Sequence, residues 1–132
     1  MYFDRKLERI PVGGQEFPII IDMYVLEEIQ QKYGSLNVFE CKLKGFKEIT
    51  ENGKKKTTRV ESDIGVLNFV LPLMLREGCE IEEIELKMTE KEIVRKLGIS
   101  HVKLQKIVCD EFNRCFKMQK KESPSKRMKN NS

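Results

Sequence analysis

The chain has 132 residues, which is enough for one ordinary domain with a modest core and too few for two. Apolar residues make up 39% and charged residues 35%, and the longest apolar run is far shorter than a membrane span, which predicts a soluble protein and excludes a membrane protein. The charged N-terminal stretch lacks the apolar segment of a signal peptide, so we expect the protein to stay in the cytosol.

The net charge of +4 is concentrated at the C-terminal end of the sequence. Residues 117–132 hold six Lys and Arg and one acid, and the remainder of the chain holds 19 bases and 20 acids. A nearly neutral body does not create the broad positive surface that a phosphate backbone attracts. Nucleic acid is therefore not an expected partner of the body, and only the tail is suited to polyanions.

The first third of the chain predicts a hairpin followed by two helices. Two β-forming runs joined by Gly-Gly predict a tight hairpin over about residues 9–21. An Asp cap and a Gly stop bound a helix over 22–33, and a Ser cap begins a shorter helix that ends before residue 45. The polar segment 46–60 has an Asn-Gly turn and fits either a weak, charged hairpin or an irregular loop.

The most apolar segment begins at Ile64 and predicts a central core helix. Only Asn68 is clearly polar between Ile64 and Leu75, so such a helix belongs at the centre of the core or against a partner. Pro72 removes a backbone hydrogen bond, which predicts a kink near Asn68 or a helix made of two pieces. Gly78 is expected to end it, before an acidic connector.

Two further helices are predicted near the C-terminus. Thr89 and Glu92 have the spacing of a capping box, which opens a helix to about Leu97. Ser100 is expected to cap the last helix, which runs to Phe116. Its apolar stripe consists of Leu104, Ile107, Val108, Phe112 and Cys115.

These elements together predict an α+β fold that is mostly helical, with the N-terminal β-hairpin packed on a bundle of four or five helices. We expect one globular domain over residues 1–119, with the hairpin at about 9–21 and the helices at about 22–119. Residues 120–132 are polar, basic and interrupted by proline, and are expected to form a disordered, flexible tail.

The residue types that carry catalysis or bind metals do not form a recognisable pattern. No C-x-x-C pair occurs among the four cysteines, which are expected to be reduced thiols packed as small apolar groups. His101 is the single histidine and has no partner at a spacing typical of a catalytic group. The sequence thus predicts a protein that is not an enzyme and has no cofactor or metal site.

Residues 89–107 offer an alternative function, because their apolar spacing and Gly98 resemble a helix-turn-helix. A small DNA-binding regulator would use the outward face of the second helix, which carries His101, Lys103, Gln105 and Lys106. Val94 argues against this function, since close helix packing usually requires a very small residue there. A helical hairpin with a Gly turn is also common in protein cores.

Several phrases occur in an order that resembles a known family. They are "MYFDRK", "FPIIIDMYVLEEIQQKYGS", "VLNFVLPLMLREGCEIEE" and "TEKEIVRKLG". These phrases resemble those of the tail assembly chaperones of long-tailed phages and prophages of Gram-positive bacteria. The resembling features are a helix that ends with residues 30–35, an apolar helix that closes with residues 74–78, and a helix that starts with Thr-Glu. The resemblance covers most of residues 1–110. Pro72 and the long segment 46–60 depart from the family pattern.

The resemblance implies a small non-enzymatic protein of the bacterial cytoplasm that is absent from the finished virion. Such a chaperone binds the long, aggregation-prone tape-measure protein and helps the tail tube protein to polymerise around it. The tape-measure protein is therefore the expected partner, with the tail tube protein and a second copy of the chain as further candidates.

A chaperone of this kind has to offer apolar surface to a helical client. Met and aromatic side chains adapt to varied partners. On this basis the candidate contact residues are Phe69, Leu73, Met74, Phe116 and Met118. Burial in the core is the alternative for most of them. The basic tail is either a solubilising end or an arm that docks on acidic stretches of the client; its candidate contacts are Lys120, Lys121, Lys126 and Arg127.

Overall fold

The computed structural model describes the backbone of residues 6–121 and the side chains of residues 6–116. Within this part, two antiparallel hairpins and five helices follow one another along the chain. They are β1 (Glu8–Val12), β2 (Gln15–Ile19), α1 (Met23–Tyr33), α2 (Leu36–Lys44), β3 (Phe46–Glu51), β4 (Lys54–Arg59), α3 (Ile64–Ile81), α4 (Glu90–Arg95) and α5 (His101–Lys121). The predicted fold, α+β and mostly helical with the N-terminal hairpin packed on the helices, is confirmed.

The N-terminal hairpin forms because its two-residue turn accepts positive φ. Gly13 and Gly14 have φ values of 61° and 82°, and Val12 pairs with Gln15 across them. The apolar residues of one face are buried in the core, among them Ile10, Val12, Phe17 and Ile19. This two-stranded sheet packs on α3, where the Ile20 N–H donates to the Met74 carbonyl at 3.3 Å.

Helices α1 and α2 have the predicted caps. The Asp22 side chain accepts a hydrogen bond from the Val25 N–H at 3.0 Å, and the Ser35 hydroxyl accepts one from Val38 at 3.1 Å. Both helices end at a glycine in the left-handed region, Gly34 with φ 84° and Gly45 with φ 86°. The sequence therefore predicted these two helices correctly.

Residues 46–59 form a second hairpin, which resolves the choice left open by the sequence. Strands β3 and β4 pair antiparallel through a turn at Asn52 and Gly53, both with positive φ. Every side chain of β4 is exposed, and β3 packs on α2. The base of the hairpin is fixed where the Val60 N–H donates to the Gly45 carbonyl at 2.8 Å.

Helix α3 lies in the centre of the core, as predicted. Its fully buried side chains include Val66, Val70, Leu71 and Leu75. The helix is continuous from Ile64 to Ile81, so a division into two pieces at the buried Pro72 is excluded. The prediction that Gly78 ends the helix is wrong, because α3 continues for three more residues and Gly78 packs against β2 instead.

The C-terminal helices also begin where the sequence predicted. Thr89 and Glu92 form the reciprocal capping box of α4, with side chain to backbone distances of 2.9 and 3.2 Å. Ser100 accepts from the Lys103 N–H at 3.3 Å and caps α5. Helix α4 is shorter than predicted, and α5 continues to Lys121, five residues beyond the predicted end. Residues 122–132 of the predicted tail lie outside the described part.

The described helices and the N-terminal hairpin share one hydrophobic core. Within residues 6–121, none combines the length and the apolar composition needed to cross a membrane. The buried faces of β1, β2, α1, α2, α3 and α5 instead meet in one cluster of apolar side chains, joined by Ile93 from α4.

Candidate partner-binding surface

Two large apolar side chains at the start of α1 remain exposed beside a groove. Met23 is 59% exposed and Tyr24 is 62% exposed. The groove has a volume of about 720 Å³ and is lined by Met23, Tyr24, Leu26, Glu27, Gln30, Leu36 and Phe116. We call it the apolar groove. A contiguous apolar patch with a polar rim is typical of a protein-binding surface rather than of scattered exposed residues.

The stacking of aromatic rings positions Phe116 at this groove. Phe116 stacks on Phe112 with ring centroids 5.7 Å apart and planes 14° from parallel. Phe112 is buried and contacts the buried Phe39 at a centroid distance of 5.4 Å. The apolar groove therefore has a rigid wall that is continuous with the core.

A partly buried ion pair between Arg114 and Glu111 fixes the chain just before α1. Glu111, 6% exposed, accepts a hydrogen bond from the Ile21 N–H at 3.2 Å. Arg114 donates to the Ile21 carbonyl at 2.7 Å and lies 3.2 Å from the Glu111 carboxylate. Both backbone polar groups of Ile21 are thus satisfied by α5, which sets the start of α1 against the end of α5.

A second groove lies on the other side of Tyr24, between α1 and α3. It has a volume of about 380 Å³ and is lined by Tyr24, Val25, Glu28, Leu73, Arg76, Glu77, Glu80 and Glu90. Four carboxylates and one guanidinium contribute charge, and Arg76 faces Glu90 at 3.5 Å. We call it the acidic groove. Tyr24 lines both grooves, so they form one continuous surface.

Glu77 is the residue of the acidic groove whose pKa departs most clearly from its ordinary value. Burial raises the pKa of its carboxyl to about 7, and a hydrogen bond with Asp22 and repulsion from Asp22 and Glu80 act in the same direction. Asp22 is the N-cap of α1 and already accepts a hydrogen bond from Val25. Partial burial and the nearby carboxyl groups of Asp22 and Glu80 therefore both disfavour the charged form of Glu77 at this junction of α1 and α3.

Only two of the predicted contact residues with described side chains line the grooves. Phe116 lies in the apolar groove and Leu73 in the acidic groove. Phe69 is half-buried, packs edge-on against Tyr33 and carries the Lys32 ammonium 5.5 Å above its ring. The prediction of Met74 as a contact residue is wrong: Met74 is 0% exposed, because its side of α3 faces the hairpin and the core.

The remaining predicted contacts lie where no side chain is described. Met118, Lys120 and Lys121 belong to the last turns of α5, of which the structure describes the backbone alone. Lys126 and Arg127 lie outside the described residues. A docking role for this basic segment stays a prediction.

Sequence reasoning missed Met23, Tyr24 and Leu36 as surface residues. Leu26, Ile29 and Tyr33 define the stripe that packs inward, and Met23 and Tyr24 stand at the start of the same helix. The sequence signal for surface exposure was the presence of large apolar residues in the first turn of a helix, where neighbouring elements cover the helix only in part. Their proximity to Phe116 depends on α5 and has no signature in the local sequence.

The segment proposed as a helix-turn-helix is held against the rest of the protein. Helix α4 has six residues, and the Gly98 N–H that follows it donates to the Pro11 carbonyl at 3.0 Å. Gln105 donates to the Leu43 carbonyl at 2.8 Å, and His101 lies 3.4 Å from the Ser62 hydroxyl. Lys106 lies 3.3 Å from the Asp110 carboxylate, so three of the four side chains expected to face DNA have partners within the protein.

Three of the four cysteines, Cys79, Cys109 and Cys115, pack in or against the core. Cys79 and Cys115 are buried, Cys41 and Cys109 are half-buried, and all four are free thiols. Burial raises the pKa of the Cys79, Cys109 and Cys115 thiols, which disfavours the reactive thiolate. Within the described part of the chain, no group of three or more His, Cys, Asp or Glu side chains is arranged to hold a metal ion.

Comparisons of the chain with protein-family models, with characterised proteins and with solved structures found no match. What the grooves offer chemically is an apolar contact surface, bounded on one side by carboxylates.

Proposed function

We propose that this protein is a tail assembly chaperone of a long-tailed phage or prophage. It acts in the cytoplasm of the bacterial host, without enzymatic activity, and is not retained in the mature virion. Its client is the tape-measure protein, which it shields while the tail tube protein polymerises around that client. The sequence phrases support the family, and the exposed Met23 and Tyr24 beside the apolar groove support the binding of a client.

The apolar groove suits a helix whose apolar side faces the chaperone. A tape-measure protein is long and helical, and an amphipathic helix presents residues three and four positions apart to such a groove. Met23 has a flexible thioether side chain that adapts to different clients, and Phe116 provides a fixed aromatic wall. This combination accepts many similar segments of a repetitive client.

The size of the groove fits reversible binding. Fully burying an apolar side chain such as that of Met23 contributes about 1.5–3 kcal/mol. Association costs more than about 4 kcal/mol in lost freedom of motion, so a few such contacts give modest affinity. A chaperone that must leave before the tail tube closes around its client requires this kind of weak contact.

Co-expression with the tape-measure protein of the same phage tests the proposal. We expect the full-length chain to form a complex that co-purifies with the tape-measure protein and to increase its soluble yield several-fold. A client that remains insoluble and separate, together with a shift of duplex DNA at physiological salt, would contradict the proposal and favour a DNA-binding regulator. Mass spectrometry of purified virions should not detect the chain.

A further inference from the structure

The acidic groove adds charge selectivity to the apolar surface. Its floor is formed by Leu73 and the buried Val25, so a bound side chain would be partly removed from water. Around this floor stand the carboxylates of Glu28, Glu77 and Glu80. Charges beside a low-dielectric floor interact more strongly than charges in open solvent, so the groove favours positive side chains.

The positive charge available within the groove is smaller than the negative charge. Arg76 is the one basic residue of the lining and lies 3.5 Å from the Glu90 carboxylate. Glu28 comes from α1 and Glu80 from α3, so two different elements contribute carboxylates to the same space. Burial raises the pKa of Glu77 to about 7, and the hydrogen bond with Asp22 and the repulsion from Asp22 and Glu80 act in the same direction, so a positive side chain beside Glu77 would stabilise its charged form.

The acidic groove is continuous with the apolar groove through Tyr24. The Tyr24 side chain, which is 62% exposed, lines both grooves. Neighbouring side chains on one face of a helix are about 5–6 Å apart, so one helix can place an apolar residue on one side of Tyr24 and a basic residue on the other. The two grooves together therefore distinguish client helices by the charge beside their apolar face as well as by their hydrophobicity.

We infer that the protein binds amphipathic helices that carry Lys or Arg along one flank of their apolar face, with the apolar residues in the apolar groove and the basic flank in the acidic groove. This inference deepens the proposed function, on which it rests, by naming the chemistry of the client segment. The carboxylates also disfavour helices with acidic flanks, because like charges would meet over the low-dielectric floor.

Synthetic helices of about five turns test this inference directly. Three peptides share an apolar face of Leu and Ala and carry Lys, Gln or Glu along the same flank. At about 0.01 M salt we expect the full-length protein to bind the Lys peptide at least about 10-fold more tightly than the Glu peptide, and at about 1 M salt the difference should largely vanish. Equal affinities for the Lys and Glu peptides at low salt would overturn the inference.

Charge reversal identifies the groove as the origin of the preference. In the double variant Glu28→Lys/Glu80→Lys we expect the preference for the Lys peptide to disappear or invert. The control is Glu16→Lys/Glu85→Lys, which makes the same change in net charge at two exposed acids outside both grooves. A preference lost equally in both double variants would overturn the inference, because it would show an effect of net charge alone.

Two other occupants of the acidic groove give distinct results. If the basic end of the same chain fills it, Lys126→Gln/Arg127→Gln/Lys129→Gln will tighten binding of the Lys peptide about 10-fold. If a second copy fills it, the protein will self-associate, and Glu28→Lys/Glu80→Lys will make it monomeric. Either result would overturn the inference in favour of that occupant.

The failure of the inference is distinguishable from the failure of the proposed function. A tape-measure complex that forms equally well with wild type and Glu28→Lys/Glu80→Lys contradicts the basic-flank inference alone. Charge-selective binding of the peptides without any complex with the tape-measure protein contradicts the proposed client alone.

Discussion

Gly78 in the last part of α3 lies directly against the carbonyl group of Pro18 in β2. A Cβ atom on residue 78 would overlap that carbonyl and would lie 2.9 Å from the amide nitrogen of Ile19. The hairpin therefore packs on the helix at a distance that only glycine permits. Glycine is used here for close approach between two elements within a helix that continues to Ile81.

Replacement of Gly78 by alanine should destabilise the protein by about 2 kcal/mol or more, because the added methyl group forces the hairpin away from α3. Urea unfolding followed by circular dichroism would measure the change. Asn68→Ala is the control, since Asn68 is exposed on the same helix and the substitution should leave stability unchanged or slightly increased. A gain of about 1 kcal/mol for Gly78→Ala, as at an exposed helical glycine, would contradict the packing described.

Removal of the buried carboxylate at Glu111 should cost about 2–3 kcal/mol of folding free energy. Glu111→Ala removes the acceptor of the Ile21 N–H and the carboxylate that lies 3.2 Å from Arg114. The neighbouring Asp110→Ala breaks an exposed pair with Lys106 and should cost less than about 1 kcal/mol. Equal costs for the two variants in chemical denaturation would show that Glu111 does not anchor α1.

Truncation of Tyr24 should weaken client binding without affecting the fold. Tyr24→Ala removes the side chain that lines both grooves, and we expect about a 10-fold loss of affinity for the tape-measure protein in titration calorimetry. Because Tyr24 is largely exposed, stability should change by less than about 0.5 kcal/mol. Val102→Ala is the matched control: Val102 is 70% exposed and lines neither groove, so its truncation should leave affinity unchanged.

The raised pKa of Glu77 predicts that its contribution to stability falls as the pH rises. The folded protein holds this proton more tightly than the unfolded chain, so the favourable contribution is complete below about pH 4.5 and lost as the pH passes about 7. After a discount for solvent exposure, we expect Glu77→Gln to be more stable than wild type by about 1 kcal/mol at pH 8 and equally stable at pH 4.

Urea unfolding of wild type and Glu77→Gln across this pH range measures the effect. Glu85→Gln serves as the control, because Glu85 lies on the connector and is exposed. The groups that surround Glu77 are Asp22, Glu28, Arg76, Glu80 and Glu90, and none of them is altered in either variant. A stability difference that does not depend on pH would show that Glu77 is not the titrating group.

Signals contained in a few neighbouring residues predicted much of the fold. The Gly-Gly turn, the caps at Asp22, Ser35 and Thr89, and the stop at Gly34 each act through hydrogen bonds or φ values within four residues. Such effects are present in the sequence before any tertiary contact forms. The apolar run of α3 similarly predicted its central position, because a helix that is apolar on nearly all sides is stable only when surrounded.

Long-range contacts determined what the sequence could not predict. Gly78 has the same local signature whether it ends a helix or packs under a strand, and only the approach of Pro18 decides between the two. Met74 was expected at the surface because the face that β2 covers depends on how the hairpin docks. The apolar groove likewise requires α5 to bring Phe116 to α1, through contacts between residues that are about 90 positions apart.

The hairpin of β3 and β4 has a consequence for how the protein opens. All six side chains of β4 are exposed and the hairpin packs on α2 through β3, and a two-stranded hairpin with so little support is only marginally stable. Its amide hydrogens should exchange with solvent through local opening, whereas those of α3 exchange only when the whole molecule unfolds. Limited proteolysis should therefore cut first at the turn around Asn52 and Gly53, and the two resulting fragments should remain associated through the intact core.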